Sequence, residues 1–147
     1  MSAGLVYDLS GLKKLEARVR RLSRSNKPEL LDIVGALVES QTRRRIQSEK
    51  ESPTGKTWPA WSAKYAAKRP SGRTLLMNED HLLDTITYLR VDQDSIEVGS
   101  NMIYAATHQF GDDDRNIPER AFLGISEANE TELIHNIDNY LDGFIRR

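Results

Sequence analysis

Apolar residues fall into a few runs whose spacing decides what each run can become. Leu5 to Leu9 is short, apolar at alternate ends and reads as a first strand. Ser10 follows as an N-cap residue, and Leu12, Leu15, Val19 and Leu22 then recur at steps of three, four and three. That spacing makes one apolar stripe on a helix, with Lys13, Lys14, Arg18, Arg20, Arg21 and Arg24 on the other face. Ser25-Asn26-Lys27 interrupts the pattern, and Pro28 suits the first turn of a second helix, because proline lacks an N–H that this turn would leave unpaired. Leu30, Leu31, Val34, Leu37 and Val38 give the second helix its buried face, and it runs on through Arg43-Arg44-Arg45-Ile46 towards Lys50. Pro53, Gly55 and Pro59 then impose a loop. Trp58 and Trp61 sit in that loop at a spacing unsuited to one strand face, and are expected to staple it to the body.

Ser62 caps a short helix through Lys68, stopped by Arg69-Pro70-Ser71-Gly72. Leu75 to Met77 is apolar, and a short helix fits around Asp80 to Thr85. Ile86 to Val91 and Ile96 to Gly99 read as two strands joined by the polar turn Asp92-Gln93-Asp94-Ser95. Tyr104 to Phe110 suits either a helical turn or a strand, and Asp112 to Pro118 reads as a polar loop. Last, Ser126 caps a helix carrying Leu133, Ile137, Tyr140, Leu141 and Phe144 on one face, with Glu127 near its positive end. The expected fold is α+β: N-terminal helices including one long helix, a small antiparallel β-sheet with a hairpin, and a C-terminal helix. At 147 residues, one domain spanning the chain is expected.

Composition narrows the chemistry. The chain has 38% hydrophobic and 29% charged residues and a net charge of −1, so bulk electrostatics demands neither nucleic acid nor an anionic membrane. It has no cysteine, which removes disulfides, thiolate metal sites and cysteine nucleophiles. No apolar run approaches the about 18 residues a membrane span needs, and the first residues lack a basic leader, so neither membrane insertion nor export is expected. Gly55-Lys56-Thr57 resembles the end of a phosphate-binding loop, but Lys50 stands where the motif needs another glycine, and Trp58-Pro59 follows instead of a helix. His81, His108 and His135 are not paired at metal-ligand spacing. Asp112-Asp113-Asp114 lacks the alternating oxygen ligands, the glycine and the distal glutamate of a calcium loop. No glycine-flanked serine elbow supports a hydrolase. No catalytic group, metal or cofactor is expected.

The strongest charged feature is Arg43-Arg44-Arg45. Three consecutive helical residues fan across about 200°, so they cannot all face a core. They can meet DNA phosphates, with release of counterions. Alternatively they pair with acidic patches on neighbouring subunits, such as Asp112 to Asp114 or the acidic last helix, or are simply solvated. Near-neutral charge and the lack of a recognition-helix motif favour protein contact or solvation. The basic first half and acidic second half suit head-to-tail packing of copies.

Several segments, in order, resemble the virion morphogenesis proteins of Mu-like phages, which are related to phage tail-completion proteins. Pro53-Thr54-Gly55-Lys56-Thr57-Trp58-Pro59-Ala60-Trp61-Ser62 is similar to the family's Pro-x-Gly-x-x-Trp loop, and Lys68-Arg69 to the basic pair after it. Leu75-Leu76 with Leu82-Leu83-Asp84-Thr85-Ile86 resembles a central segment. Val98-Gly99-Ser100-Asn101 and Tyr104-Ala105-Ala106-Thr107-His108-Gln109-Phe110-Gly111 resemble the most specific motif, and Ile117-Pro118-Glu119-Arg120-Ala121-Phe122-Leu123-Gly124 resembles the approach to the last helix. Two positions depart from the pattern: Asp80 stands for a usual glycine and Ala121 for a common proline. The resemblance implies a non-enzymatic structural protein of the head-tail junction or tail top, needed for tail completion and head-tail joining. It implies no cofactor and no small-molecule substrate. Implied partners are other neck and tail proteins and further copies in a ring, with room for non-specific contact to DNA in the conduit. The implied location is the virion neck or tail, after assembly in the host cytoplasm. A small DNA-binding protein using the basic N-terminal helices is the alternative. The motif residues Trp58, Trp61, Tyr104, His108, Gln109, Phe110, Gly111, Arg120 and Phe122 serve the fold or an interface. Tyr104 and Phe110 are expected to anchor the segment in the core, Gly111 to permit a turn, and His108 and Gln109 to bond the loop back to the fold. Holding the fold is the preferred role.

Overall fold

The computed structural model describes residues 3–8, 15–22, 26–77 and 81–145. Its elements are β1 (Ala3–Asp8), α1 (Glu16–Arg20), α2 (Lys27–Arg44), α3 (Ala63–Lys68), α4 (His81–Thr85), β2 (Thr87–Arg90), β3 (Ser95–Ser100), α5 (Ala105–Phe110) and α6 (Glu127–Ile145). The α+β expectation is borne out: a long helix near the start, an antiparallel hairpin and a long helix at the end. Pro28 sits in the first turn of α2, and Ser62 Oγ accepts the Tyr65 N–H to cap α3. The expected helix cap at Ser10 lies outside the described residues, as does Asp80. The segment from Tyr104, open between helix and strand, is helical.

The three strands form one antiparallel sheet in the order β1-β3-β2. Val98 of the central strand is in register with Leu5 and Tyr88, and Ile96 with Tyr7 and Arg90. Ile96 and Val98 are fully buried, whereas Thr87, Leu89 and Arg90 on the edge strand are exposed. Alternation along β3 therefore sends one face inward, against α2. α2 lies close on the sheet because Gly35 presents no side chain to the Tyr88 ring: a Cβ there would stand 2.3 Å from Tyr88 Cδ2. The other side of α2 packs on α6. Leu30, Leu31, Val34 and Val38 meet Leu133, Ile137 and Leu141 in one core with Ile86 and Phe122.

Charge reinforces this packing. Arg18 on α1 reaches Asp138 and Asp142 of α6, each at 2.6 Å. Tyr140 donates its hydroxyl to Glu29 Oε2 at 2.9 Å, near the start of α2. The contrast between a basic first half and an acidic second half is thus met to a large extent inside one chain. The helices that carry the two signs are the ones whose apolar stripes pack together.

Gly35→Ala sets two effects in opposition. Alanine favours a helix interior by about 1 kcal/mol, but overpacking a closed interface costs roughly 1–3 kcal/mol, and the blocking atoms lie at the root of the Tyr88 ring. The clash wins. Urea unfolding should show a less stable variant, and an equally stable or more stable one would contradict this packing.

Candidate functional site

α2 does not end as an α-helix. It widens into a π-helical turn over Arg45–Glu49, closed by the Lys50 N–H on the Arg45 carbonyl at 2.9 Å, and Lys50 then takes a left-handed conformation at φ 56°. The three arginines leave this turn in three directions. Arg43 donates to the Ile86 carbonyl at 2.6 Å and lies 3.3 Å from Glu39. Arg44 pairs with Glu132 at 3.1 Å and Glu49 at 3.5 Å. Arg45 turns inward and is 1% exposed, donating to the carbonyls of Phe122 (2.7 Å) and Gly124 (3.2 Å) and to Asn129 Oδ1. The expectation that Arg45 faces a partner or DNA is therefore corrected. The widened turn carries it into the interior, where irregular chain offers it acceptors. Arg43 and Arg44 are also engaged within the chain, so the triplet is not an open basic surface.

The Phe122 and Gly124 carbonyls belong to an irregular segment, 118–124, that has no strand neighbour. Apart from the Arg120 N–H, its hydrogen-bonded backbone groups meet side chains instead. Gln109 Oε1 accepts the N–H groups of Phe122 (3.1 Å) and Leu123 (3.0 Å). Trp58 Nε1 donates to the Ala121 carbonyl at 2.9 Å. Arg120 donates from Nε to the Pro59 carbonyl (2.8 Å) and from a terminal nitrogen to the Ala60 carbonyl (3.1 Å), and its own N–H meets the His108 carbonyl at 2.8 Å. Phe122 is fully buried, and Trp58 and Arg120 are 4% and 6% exposed. Gly111, at φ +75°, lets the chain turn where a Cβ would stand 2.8 Å from the Glu119 nitrogen. Trp58, Gln109, Gly111, Arg120 and Phe122 thus hold one knot of chain, in which a loop some sixty residues earlier meets two neighbouring segments.

Four other motif residues face outward or partly so. Phe110 is 72% exposed, which corrects the expectation that it anchors the segment in the core. By helical geometry it points about 160° away from His108, which faces the body. Tyr104 is half-buried, its ring edge-on to the His108 imidazole at 5.6 Å. Trp61 does not staple the loop as Trp58 does: it lies half-buried, with the Arg69 guanidinium 4.4 Å above its ring and Tyr65 edge-on at 5.6 Å. Trp61, Tyr65, Tyr104, His108, Leu82 and Pro118 are among the walls of a groove of about 1070 Å3. Tyr65 escaped the sequence reading, although Trp61, Tyr65 and Arg69 at steps of four signalled one face of a short helix. Asn129 escaped it too. Its Oδ1 accepts the Ser126 N–H and the Arg45 guanidinium, its backbone N–H donates to Ser126 Oγ, and the Ser126-x-x-Asn129 spacing was the available signal.

Burial, and next the positive charge of Arg120, hold the His108 imidazole below its ordinary value of 6.5, and Nδ1 is buried without a hydrogen-bond partner. Arg115 keeps the Asp112 carboxyl below the usual carboxylate range. The Asp112–Ile117 bridge closes the acidic loop on itself. Among the described residues, no three His, Asp or Glu side chains gather as metal ligands would, and no helix is long and apolar enough to cross a membrane.

Comparison with known proteins agrees with the resemblance carried by these motifs. A model of the phage virion morphogenesis family matches residues 8–142. A protein of Escherichia phage Mu named "putative capsid assembly protein G" is 29% identical over 126 residues, covering 78% of this chain and 80% of that protein. No solved structure matches the chain.

Arg45→Met fills similar space but strips donors from buried acceptors. Breaking a buried charged network of this kind costs about 3 kcal/mol or more, a fall in Tm of roughly 6–12 °C for a chain of this size. Calorimetry checks it, and an unchanged Tm would show that the guanidinium is not structural. His108 supplies a second test through pH. Its folded-state pKa is lowered, so the unfolded chain takes up the proton first as pH falls below about 6.5. Stability from neutral His108 is present above that value and declines below it. Urea titrations of wild type and His108→Gln should differ in slope between pH 6.5 and 5 and run parallel above pH 7.

Proposed function

The chain belongs to the phage virion morphogenesis family, a family of phage assembly that implies no enzymatic activity, and from that premise we propose that it is a structural component of the head-tail junction or tail top. In this role it completes the tail and joins it to the filled head. It is made in the host cytoplasm and becomes part of the virion neck or tail. Its partners are neighbouring neck and tail proteins and further copies of itself in a ring.

The observation that carries this reading is the family match along residues 8–142, which includes every motif that converges on the knot around 118–124. The structure supports an assembly role in a further way. Most of the motif residues are buried or half-buried and tie the chain together, while Phe110 is exposed and offers apolar surface to another protein. The DNA-binding alternative loses its main support, because Arg45 is buried and Arg43 and Arg44 are paired within the chain. The name of the Mu relative favours one second reading, a role on the capsid side of assembly.

Electron microscopy of particles produced without this protein separates the readings. Filled heads lying beside separate tails are expected. Aberrant or unfilled heads would move the role to capsid assembly, and normal infectious particles would refute both.

A further inference from the structure

β2 is an edge strand, and its hydrogen bonds to β3 decide which of its backbone groups are left over. The Val91 N–H donates to the Ser95 carbonyl at 3.0 Å. Bonded and unbonded positions alternate along an antiparallel pair, so Leu89 and Thr87, in register with Glu97 and Gly99, also turn their backbone groups towards β3. Tyr88 and Arg90 turn theirs outward, and among the described residues no strand lies on that side. Side chains alternate as well. Tyr88 and Arg90 lie on the α2 side, where the Tyr88 ring meets Gly35 and Arg90 stands 3.7 Å from Asp32. Leu89 points to the opposite face and is 53% exposed, and Val91, two residues on, is 55% exposed. An open edge flanked by bare apolar side chains is a place where another strand adds.

Charges along this edge say which strand fits. α2 runs beside β2, with Asp32 at Arg90, Gly35 over Tyr88, and Arg43 donating to the Ile86 carbonyl at 2.6 Å. Glu39, one turn past Gly35 and 3.3 Å from Arg43, therefore sits between Tyr88 and Ile86. A second β2 can pair antiparallel through its own outward groups at Tyr88 and Arg90, and the registers differ in the charges they bring together. Arg90 opposite Arg90 opposes like charges. Tyr88 opposite Tyr88 sends each Arg90 to Ile86 of the other copy, where Arg43 already lies. Leu89 opposite Leu89 avoids both conflicts. Each Arg90 then faces Tyr88 of the other copy, next to Glu39, and each Asp92, in the turn after β2, comes to Ile86 and Arg43. On the opposite face the two leucines meet, flanked by Thr87 against Val91.

We propose that two copies of the chain join β2 to β2 antiparallel, about a two-fold axis through Leu89, so that their sheets become one. The contact is isologous: the same edge serves both copies, and association closes at two. It goes beyond the ring reading, since it gives the free protein a dimeric form that needs no neck or tail partner.

The test uses the purified full chain, which has no cysteine, so that an introduced thiol reports a single contact. Wild type should sediment as a dimer at micromolar concentration. In the proposed register the two Leu89 residues form an unbonded pair with Cα atoms about 4.5 Å apart, within the span of a disulfide. Leu89→Cys should therefore give a covalent dimer under mild oxidation. Thr87→Cys alone should not, because its two copies lie about 13 Å apart along the strands; mixed with Val91→Cys, it should cross-link to that chain. All these positions are exposed, so the circular dichroism spectrum and Tm should stay as in wild type. Arg90→Glu sets an acid beside Glu39 of the other copy and should weaken the dimer at least about tenfold. Wild type that sediments as a monomer overturns the proposal, and so does a Leu89→Cys chain that forms no covalent dimer. Thr87→Cys that cross-links to itself as readily as Leu89→Cys overturns it too, by excluding the register.

Discussion

A guanidinium can be buried only where its donors find acceptors, and irregular chain can be buried only where its carbonyls find donors. Arg45 and segment 122–124 solve both problems together. The widened last turn of α2 carries Arg45 into the interior, and its fork closes on the Phe122 and Gly124 carbonyls and on Asn129. Asn129 belongs to the capping exchange that begins α6, so the same fork fixes the entry of the last helix. The contact of α2 with α6, the placement of Phe122 in the core and the course of the chain between them all hang on this fork. Gln109, Trp58 and Arg120 extend the arrangement, each giving side-chain polar atoms to backbone groups that lack a strand partner.

This division explains why one short motif contains residues of opposite behaviour. Gln109 and Phe110 are neighbours, yet one is tied to two backbone N–H groups and the other projects into solvent. Consecutive residues on a helix point about 100° apart, so a single turn can serve the interior and the surface together. A fold element that both locks its own chain and displays an apolar side chain holds that side chain at a fixed position on the surface.

The charges follow a similar logic. Arg18 and Arg44 are conspicuous in sequence but meet Asp138, Asp142 and Glu132 of α6, which makes them internal braces between helices. Among the described residues, one basic stretch left outward is the quieter one around α3, where Lys64, Lys68 and Arg69 are exposed beside Trp61 and Tyr65. Helices pack by their apolar stripes, and that packing decides which charges meet inside the chain and which remain outside.

Periodicity and turn chemistry by themselves determined the elements. Pro28 at the start of α2, Ser62 before α3, the polar turn between β2 and β3 and Ser126 before α6 are local signals that depend on a few neighbours, and each appears where its residues place it. The ordered motifs likewise carried the family. Only the tertiary structure decided the roles of single residues within those elements. That Arg45 is core depends on a π-helical turn and on irregular chain arriving from some eighty residues away. Such acceptors leave no mark on the local pattern, because a backbone carbonyl belongs to every residue alike. Their availability is settled only when distant segments fold against each other.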